Sequence, residues 1–280
     1  MQTSETTVVV TGANSGIGKV TALELARMGL RVVMVCRSRD KAETARSEIV
    51  ARTGNHAVSI VLADFADLVQ VARAAAEIRA AHPRIDVLVN NAGIYLNDYQ
   101  TSAQGYEMTF AVNHLAPFLL TKLLLDAVPH GGRVVNVSSM AHNGGKIDFD
   151  DLHQRRRYSG FRAYGDSKLA NILFSNELAL RVAERKITSN SLHPGVVASN
   201  FAANNGGLFT LILKLGRPFM ISSEEGARTS IYLSTSPEVA EISGKYFDKC
   251  RAITPAPAAT DTAVQQRLWS LSEELIAVAV

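Results

Sequence analysis

The amino-acid sequence predicts an α/β fold: a single-domain, Rossmann-type, doubly wound parallel sheet with helices on both faces. Short β-branched runs alternate with longer helical patterns through most of the 280 residues. The runs are almost continuously apolar, as expected of strands that helices cover on both sides. Such alternation gives right-handed crossovers between parallel strands. No Pro/Gly-rich linker or internal repeat interrupts the pattern, so we expect residues 1–280 to form one domain.

The apolar runs predict six strands, and a seventh short strand is expected near the end of the chain. In order, the strands are Thr7–Val10, Arg31–Val35, Val58–Leu62, Val87–Val89, Arg133–Val137, Thr188–Leu192 and Lys245–Asp248. The helices between them are Ile17–Met28, Lys41–Arg52, Leu68–Ala80, Gly105–Ala127 and Tyr164–Glu184. A C-terminal extension of about 252–280 is expected to run over the surface from Ala252 before a last helix near Thr262–Ala277.

Composition and charge exclude several classes of protein. The chain is 47% hydrophobic and 20% charged, which excludes a disordered or collagen-like chain. A net charge of +3 is too small to indicate nucleic acid or an anionic membrane as a partner. Two cysteines, Cys36 and Cys250, argue against a disulfide framework, and the seven scattered histidines predict no metal site.

The sequence shows no targeting or spanning segment. Residues 1–7 are polar and lack the apolar run of a signal peptide. The longest stretch without Asp, Glu, Lys or Arg, residues 187–213, is interrupted by Pro194 and by paired glycines, so it predicts no transmembrane segment. We expect a cytoplasmic protein.

A glycine-rich loop follows the first strand and opens the first helix. A helix N-terminus presents free backbone N–H groups and the positive end of its dipole, which suits a pyrophosphate. Glycines let the backbone turn sharply and approach the phosphates closely. The loop therefore predicts a dinucleotide site, with contacts from Gly12, Asn14, Ser15, Gly16, Ile17 and Gly18.

The residue after the second strand indicates which dinucleotide is bound. An acidic side chain there would accept hydrogen bonds from the adenosine ribose. This chain instead has Cys36-Arg37-Ser38-Arg39, and Arg37 can form a forked pair with a 2′-phosphate. The alternative is that Arg37 is an exposed loop residue only. We expect NADP(H) rather than NAD(H).

Tyr164 and Lys168 form the candidate acid–base pair. Residues four apart on a helix lie on one face. A free tyrosine has a pKa near 10, and a neighbouring ammonium together with an oxidised nicotinamide would lower it. Tyr164 would then act as general acid in reduction and as general base in oxidation. An amphipathic helix with a packed tyrosine and a solvated lysine is the alternative that this pair by itself leaves open.

Several motifs occur in one order on the predicted elements. They are the glycine loop, Asn90-Asn91-Ala92-Gly93, Ser138-Ser139, Tyr164-Gly165-Asp166-Ser167-Lys168 and His193-Pro194-Gly195. Over about residues 5–250 the chain resembles the short-chain dehydrogenase/reductase family. The interval between Ser139 and Tyr164, with Ile147–Leu152 inside it, resembles the retinol dehydrogenase branch. Members of that branch commonly carry an N-terminal membrane anchor, which residues 1–7 do not resemble.

The resemblance implies roles for two more side chains. Ser139 takes the position of the serine that hydrogen-bonds the substrate oxygen, with Ser138 as the competing candidate. Asn113 resembles the asparagine that holds a water leading protons to the lysine, although a helix-interior Asn bonded to backbone is the alternative. Lys168 would also hold the nicotinamide ribose.

The same resemblance implies further cofactor contacts. Asp64 would meet the adenine amino group, or it could cap the next helix. The remaining contacts implied are Asn91, Ala92 and Gly93 in the cofactor groove, Pro194, Gly195 and Val197 along the nicotinamide, and Ser199 at the diphosphate.

The segment of about 198–222 corresponds to the family's variable substrate lid. Its apolar side chains favour a lipophilic aldehyde, ketone or alcohol, although they could merely pack the lid onto the domain. They are Phe201, Leu208, Phe209, Leu211, Ile212, Leu213 and Phe219. The helices that carry Asn113 and Tyr164 have broad apolar faces, which fits either a monomer or a homodimer.

Three functions are compatible with these residues. The first is an NADP(H)-dependent oxidoreductase acting on a carbonyl/alcohol pair, with reduction as the expected direction. The second is a C=C reductase resembling protochlorophyllide reductase. The third is a non-catalytic, NADP-sensing binding protein with a vestigial site.

Overall fold

Eight strands form one sheet in the computed structural model, which describes residues 5–196 and 221–277. The strands are β1 (Thr7–Thr11), β2 (Arg31–Cys36), β3 (Val58–Leu62), β4 (Val87–Asn90), β5 (Arg133–Val137), β6 (Thr188–His193), β7 (Tyr246–Asp248) and β8 (Arg251–Ile253). Their order in the sheet is β3-β2-β1-β4-β5-β6-β7-β8. Neighbouring strands are parallel up to β7, and β8 is antiparallel to β7. The predicted doubly wound fold is confirmed.

Helices cover both faces of this sheet. They are α1 (Gly16–Arg27), α2 (Arg39–Thr53), α3 (Leu68–Ala81), α4 (Met108–Ala127), α5 (Gly160–Arg181), α6 (Ser223–Thr235) and α7 (Thr262–Ala277). One apolar core lies between the sheet and α1, α2 and α6, and a second lies between the sheet and α3, α4, α5 and α7. Val9 faces the second core, whereas Val8 and Val10 face the first. Because strand side chains alternate between faces, two-sided burial explains why the strand sequence is continuously apolar.

The helix α4 departs from the predicted regular helix in two ways. It begins at Met108 rather than Gly105, because the Glu107 carboxylate accepts hydrogen bonds from the backbone N–H groups of Thr109 and Phe110 and caps it. Its second turn, Ala111–Leu115, is π-helical. Among the described helices, α4 has the length and composition of a membrane span. However, 78% of its most apolar stretch is buried inside the protein.

The C-terminal extension differs from its prediction at its start. Ala252 and Ile253 lie at the surface, as predicted, but they belong to a strand that was not predicted, β8, which pairs with β7. A two-residue turn makes this possible, because Lys249 and Cys250 both adopt positive φ, as a type I′ hairpin turn requires. The last helix spans Thr262–Ala277, as predicted.

The helix α7 covers the apolar faces of α4 and α5. The ring of Trp269 lies 4.9 Å from that of Phe118 on α4 and 5.9 Å from that of Phe174 on α5. Gln265 donates a 2.7 Å hydrogen bond to the buried carboxylate of Glu177. Part of the broad apolar surface that the sequence left open to a dimer partner is therefore occupied by the chain's own C-terminal helix.

We expect the substitution Trp269→Ala to lower the free energy of unfolding by about 3–5 kcal/mol, because it leaves a cavity among buried aromatic rings. Urea denaturation followed by far-ultraviolet circular dichroism measures the change. The matched control is Trp269→Phe, which keeps an aromatic ring at this position. Its free energy of unfolding should fall markedly less than that of the alanine variant. A loss below about 1 kcal/mol for the alanine variant would show that α7 does not depend on this packing.

Candidate active site

The carboxyl ends of β1 and β4 define the site. These strands are neighbours in the sheet, yet the chain visits β2 and β3 between them on the other side. Ligands of doubly wound sheets bind in the crevice at such a switch point. The loops that follow β1 and β4 meet there, because a Cβ placed on Gly12 would lie 3.1 Å from the Cα of Ala92.

The glycine loop is closely packed where the sequence places its glycines. Gly12 and Gly16 both adopt positive φ, at 66° and 51°. A Cβ on Gly18 would lie 2.4 Å from the carbonyl oxygen of Gly12 and from Nδ2 of Asn91. Any larger residue at position 18 would therefore push the start of α1 away from the loop. Asn14, Ser15 and Ile17 lie at the open start of α1, partly or fully exposed.

Thr11 joins the ends of β1 and β4. Its hydroxyl oxygen accepts hydrogen bonds from the backbone N–H groups of Asn91 and Ala92, each at 2.9 Å. Nδ2 of Asn91 donates to the Thr11 carbonyl at 2.8 Å. The predicted groove residue Asn91 thus also holds the crevice together. Sequence reasoning missed Thr11, although its position directly before Gly12 is a signal for this role.

Tyr164, Ser139 and Lys168 come together at the ends of β5 and α5. The hydroxyls of Tyr164 and Ser139 are hydrogen-bonded to each other. Nζ of Lys168 lies 5.5 Å from the centre of the Tyr164 ring and donates to the carbonyl of Val137 at 3.1 Å. A Cβ on Gly93 would lie 3.4 Å from this Nζ, so the small residue leaves room for the amine. The structure therefore brings these three predicted side chains together.

Burial dominates the protonation of this pair. It raises the pKa of Tyr164 to about 12, against a smaller lowering by the hydrogen bond from Ser139. Burial also lowers the pKa of Lys168 to about 8. The expected lowering of the Tyr164 pKa by Lys168 is not found here, because both groups lose solvation in the same buried environment. At neutral pH, Tyr164 is a phenol that can donate a proton.

Asn113 lies at the centre of the π-helical turn of α4. Its Oδ1 accepts from the backbone N–H of Ile94 at 2.7 Å, and its Nδ2 donates to the carbonyl of Ile94 and to the hydroxyl of Ser167. The Ser167 hydroxyl in turn donates to the carbonyl of Tyr164. Asn113 is fully buried, and it connects the loop after β4 to the helix of Tyr164.

The competition between Ser138 and Ser139 is decided by their surroundings. The Ser138 hydroxyl is buried and donates to the carbonyl of Lys168 at 2.7 Å, so it is engaged within the protein. Ser139 is half-buried and faces Tyr164. The structure therefore places Ser139, and not Ser138, beside the phenol.

The other predicted cofactor contacts that the structure describes follow the carboxyl ends of β2, β3 and β6. Arg37 is exposed directly after β2. Asp64 accepts the backbone N–H of Ala66 in the loop after β3, whereas Asp67 caps α3, so capping of α3 is not the role of Asp64. Pro194 and Gly195 follow β6. Val197, Ser199 and almost all of the predicted lid of about 198–222 lie outside the described residues.

Two histidines in the interval between Ser139 and Tyr164 bond distant parts of the chain. His142 is 2% exposed and bonds the carbonyl of Ser139 and the backbone N–H of Ala256. His153 stacks on Tyr106, and its Nδ1 accepts the backbone N–H of Glu107. Their partners are distant in sequence, so local pattern gave no signal. Over residues 5–196 and 221–277, no cluster of three potential metal ligands occurs.

The fold and this crevice define a Rossmann-type dinucleotide-binding protein with a tyrosine–lysine pair. A family model described as short chain dehydrogenase matches residues 6–206. The chain belongs to the short-chain dehydrogenase/reductase family, an oxidoreductase family, and to its retinol dehydrogenase-like branch. Human retinol dehydrogenase 13 is 44% identical over 278 residues, which are 96% of this chain and 84% of that protein. Mouse retinol dehydrogenase 12 is 42% identical over 273 residues, with 97% and 86% covered.

Solved structures agree with this membership. An uncharacterized protein from Mycobacterium paratuberculosis superposes with a TM-score of 0.79 at 36% identity, covering 98% of this chain and 94% of the other. A blue fluorescent protein from a metagenomic library, in complex with NADPH, superposes with a TM-score of 0.70 at 27% identity, covering 86% and 95%.

The buried ammonium predicts a pH-dependent stability. Because the folded pKa of Lys168 lies at about 8, below its ordinary 10.5, stability is lost as pH falls from 10.5 to about 8, and the loss is complete below that pH. The substitution Lys168→Met should therefore raise the free energy of unfolding at pH 7 by up to roughly 3 kcal/mol. Val137 keeps a donor, since Nδ2 of Asn171 also bonds its carbonyl.

Urea denaturation of the cofactor-free protein at pH 7 and pH 9.5 measures this effect. The difference in the free energy of unfolding between Lys168→Met and wild type should become smaller at pH 9.5, where the buried wild-type amine is neutral. The exposed Lys245→Met serves as the matched control and should show no such narrowing. A difference that is equal at both pH values would contradict the burial of a charged amine.

Proposed function

We propose that the protein is an NADP(H)-dependent oxidoreductase that interconverts a carbonyl and an alcohol, and that it reduces a lipophilic aldehyde or ketone. The observation that carries this proposal is the hydrogen bond between the Tyr164 and Ser139 hydroxyls, with Lys168 on the same face of α5. These groups lie at the edge of the sheet where the glycine loop also opens.

The residues present fit a dinucleotide. The crevice between Gly12 and Ala92 is too tight for larger side chains, and the backbone N–H groups at the start of α1 suit the diphosphate. The exposed guanidinium of Arg37 suits a 2′-phosphate, and no carboxylate lies at positions 36–39 to repel it. When bound, the nicotinamide supplies or accepts the hydride. The NADPH complex of the metagenomic relative supports the choice of NADP(H).

Each side chain has a distinct task in this proposal. In reduction, the Tyr164 hydroxyl donates its proton to the substrate oxygen, and Ser139 donates a hydrogen bond to the same oxygen as charge develops there. The Lys168 ammonium stabilises the phenolate that forms. In oxidation the proton returns to Tyr164. Asn113 keeps the loop at Ile94 and the helix α5 in position relative to these groups. Water next to Asn113 would deliver protons to Lys168.

Exposed apolar side chains close in sequence to the site residues support a lipophilic substrate. Met140, Phe161 and Val196 are each about half exposed, directly after Ser139, one turn before Tyr164 and directly after Gly195. The Tyr95 ring lies edge-on to Tyr164 at 5.9 Å. Apolar walls around a few polar groups are typical of a site for a small apolar ligand. The relatives named retinol dehydrogenases support a carbonyl/alcohol pair over a C=C bond.

We expect the substitution Tyr164→Phe to lower kcat for aldehyde reduction by about 10²–10⁴-fold, because it removes the proton donor. Absorbance of the reduced nicotinamide, with a panel of aldehydes and ketones, measures turnover. NADPH binding, followed by its fluorescence, should change little. Tyr232→Phe, which removes a hydroxyl that bonds Glu238 at the surface, is the matched control. Full turnover in Tyr164→Phe would refute the catalytic assignment, and an inactive wild type that binds NADPH would favour the sensing protein.

We expect the substitution Arg37→Asp to raise KM for NADPH at least about tenfold and to lower KM for NADH, because a carboxylate repels the 2′-phosphate and accepts ribose hydroxyls. Steady-state kinetics with both cofactors measure the ratio. Arg52→Ala, at the far end of α2, is the control. A wild type that prefers NADH would overturn the role of Arg37.

A further inference from the structure

Two buried histidines lie beside two of the proposed active-site residues and take no part in the chemistry above. His142 follows Ser139 by three residues and is 2% exposed, and His114 follows Asn113 directly and is 1% exposed. Both side chains bond the same distant part of the chain, residues 254–277, which we call the C-terminal segment. It contains α7 and the turn before it.

His142 connects the C-terminal segment to the backbone of Ser139. Its Nε2 accepts the backbone N–H of Ala256 at 3.1 Å, and because an amide nitrogen only donates, Nε2 is unprotonated. The ring proton is therefore on Nδ1, which donates to the carbonyl of Ser139 at 2.7 Å. Burial lowers the pKa of His142 and keeps this neutral form. The ring also packs edge-on against Tyr246 of β7 at 4.9 Å.

His114 makes the corresponding connection at Asn113. Its Nε2 lies 2.8 Å from the hydroxyl oxygen of Ser272 on α7. The Ser272 hydroxyl donates to the carbonyl of Leu268, so its oxygen accepts a hydrogen bond from the N–H at Nε2. His114 lies in the π-helical turn, where the backbone N–H of Ala116 donates to the carbonyl of Ala111 five residues earlier instead of four. This contact ties that turn to α7.

We propose that the C-terminal segment positions Ser139 and Asn113 through His142 and His114, and that these histidines are positioning residues of the active site. The inference rests on the proposed function. Ser139 must meet the substrate oxygen within a fraction of an ångström, and its carbonyl is held by both the ring and the backbone N–H of His142. Without the contact to Ala256, Nε2 of the His142 ring has no hydrogen bond to the C-terminal segment.

The substitution Ala256→Pro tests the first connection. The φ of Ala256 is −56°, which proline adopts, so the backbone conformation is kept while the N–H is replaced by a ring carbon facing the imidazole. Ala256→Gly keeps the N–H and is the matched control. We expect kcat to fall at least about tenfold in the proline variant alone, with the Kd for NADPH within twofold of wild type. Equal kcat in the two variants would overturn the proposal.

A double-mutant cycle tests whether the effect passes through His142. In His142→Asn the amide Nδ2 can still donate to the Ser139 carbonyl but cannot reach Ala256. Adding Ala256→Pro to this variant should therefore lower kcat no further. Losses that multiply in the double variant would show that the proline acts by general destabilisation, against the proposal.

The substitution Ser272→Ala tests the second connection, with the exposed Ser270→Ala of the same helix as its control. We expect kcat to fall several-fold in Ser272→Ala alone, again with unchanged NADPH binding. If Ser272→Ala and Ser270→Ala both lost NADPH binding as well as kcat, α7 would only stabilise the fold, and the proposal would be wrong.

Hydrogen exchange separates this inference from the proposed function. The amides of residues 140–145 should exchange faster in Ala256→Pro than in Ala256→Gly, whether or not any substrate is turned over. Absence of turnover in the wild type would refute the proposed function and leave this readout intact. Equal exchange in the two variants would refute the positioning role.

Discussion

The burial of one amine beside one phenol is the constraint around which the site is arranged. Lys168 loses solvation near the end of β5, where the carbonyl of Val137 accepts a hydrogen bond from its Nζ. Burying the Lys168 ammonium costs stability. It also puts a cation next to Tyr164, whose phenol has a raised pKa and whose phenolate needs a neighbouring positive charge. The small residue Gly93 and the engaged Ser138 hydroxyl both serve this arrangement, since they leave space for the amine and fix its helix.

The C-terminal segment relates the stability of the fold to the geometry of the site. Trp269 holds α7 on α4 and α5, the two helices that carry Asn113 and Tyr164. Contacts of the same segment reach His142 and His114. A change far from the crevice can therefore move active-site groups without touching them, because packed helices transmit small shifts instead of absorbing them.

Much of the fold could be predicted because local pattern and tertiary role agree. The runs Val58–Leu62 and Arg133–Val137 are strands with the predicted bounds, since two-sided burial selects continuous apolar sequence. The misses lie where a distant contact overrides the pattern. The turn at Lys249 and Cys250, without glycine, gave no hairpin signal, so β8 was missed. The π-helical turn was missed because its residues follow ordinary helical periodicity.

By itself, the sequence determined the order of strands and helices, the glycine loop, and the presence of Ser139, Tyr164 and Lys168 at strand and helix ends. Those features are local, because periodicity and motif spacing depend on neighbouring residues. Only the tertiary structure decided that Ser138 bonds the carbonyl of Lys168 whereas Ser139 bonds Tyr164, that burial raises the pKa of Tyr164, and that His142 reaches Ala256. Each of these depends on residues brought together from about 25 to more than 100 positions apart, through packing that no short stretch of sequence encodes.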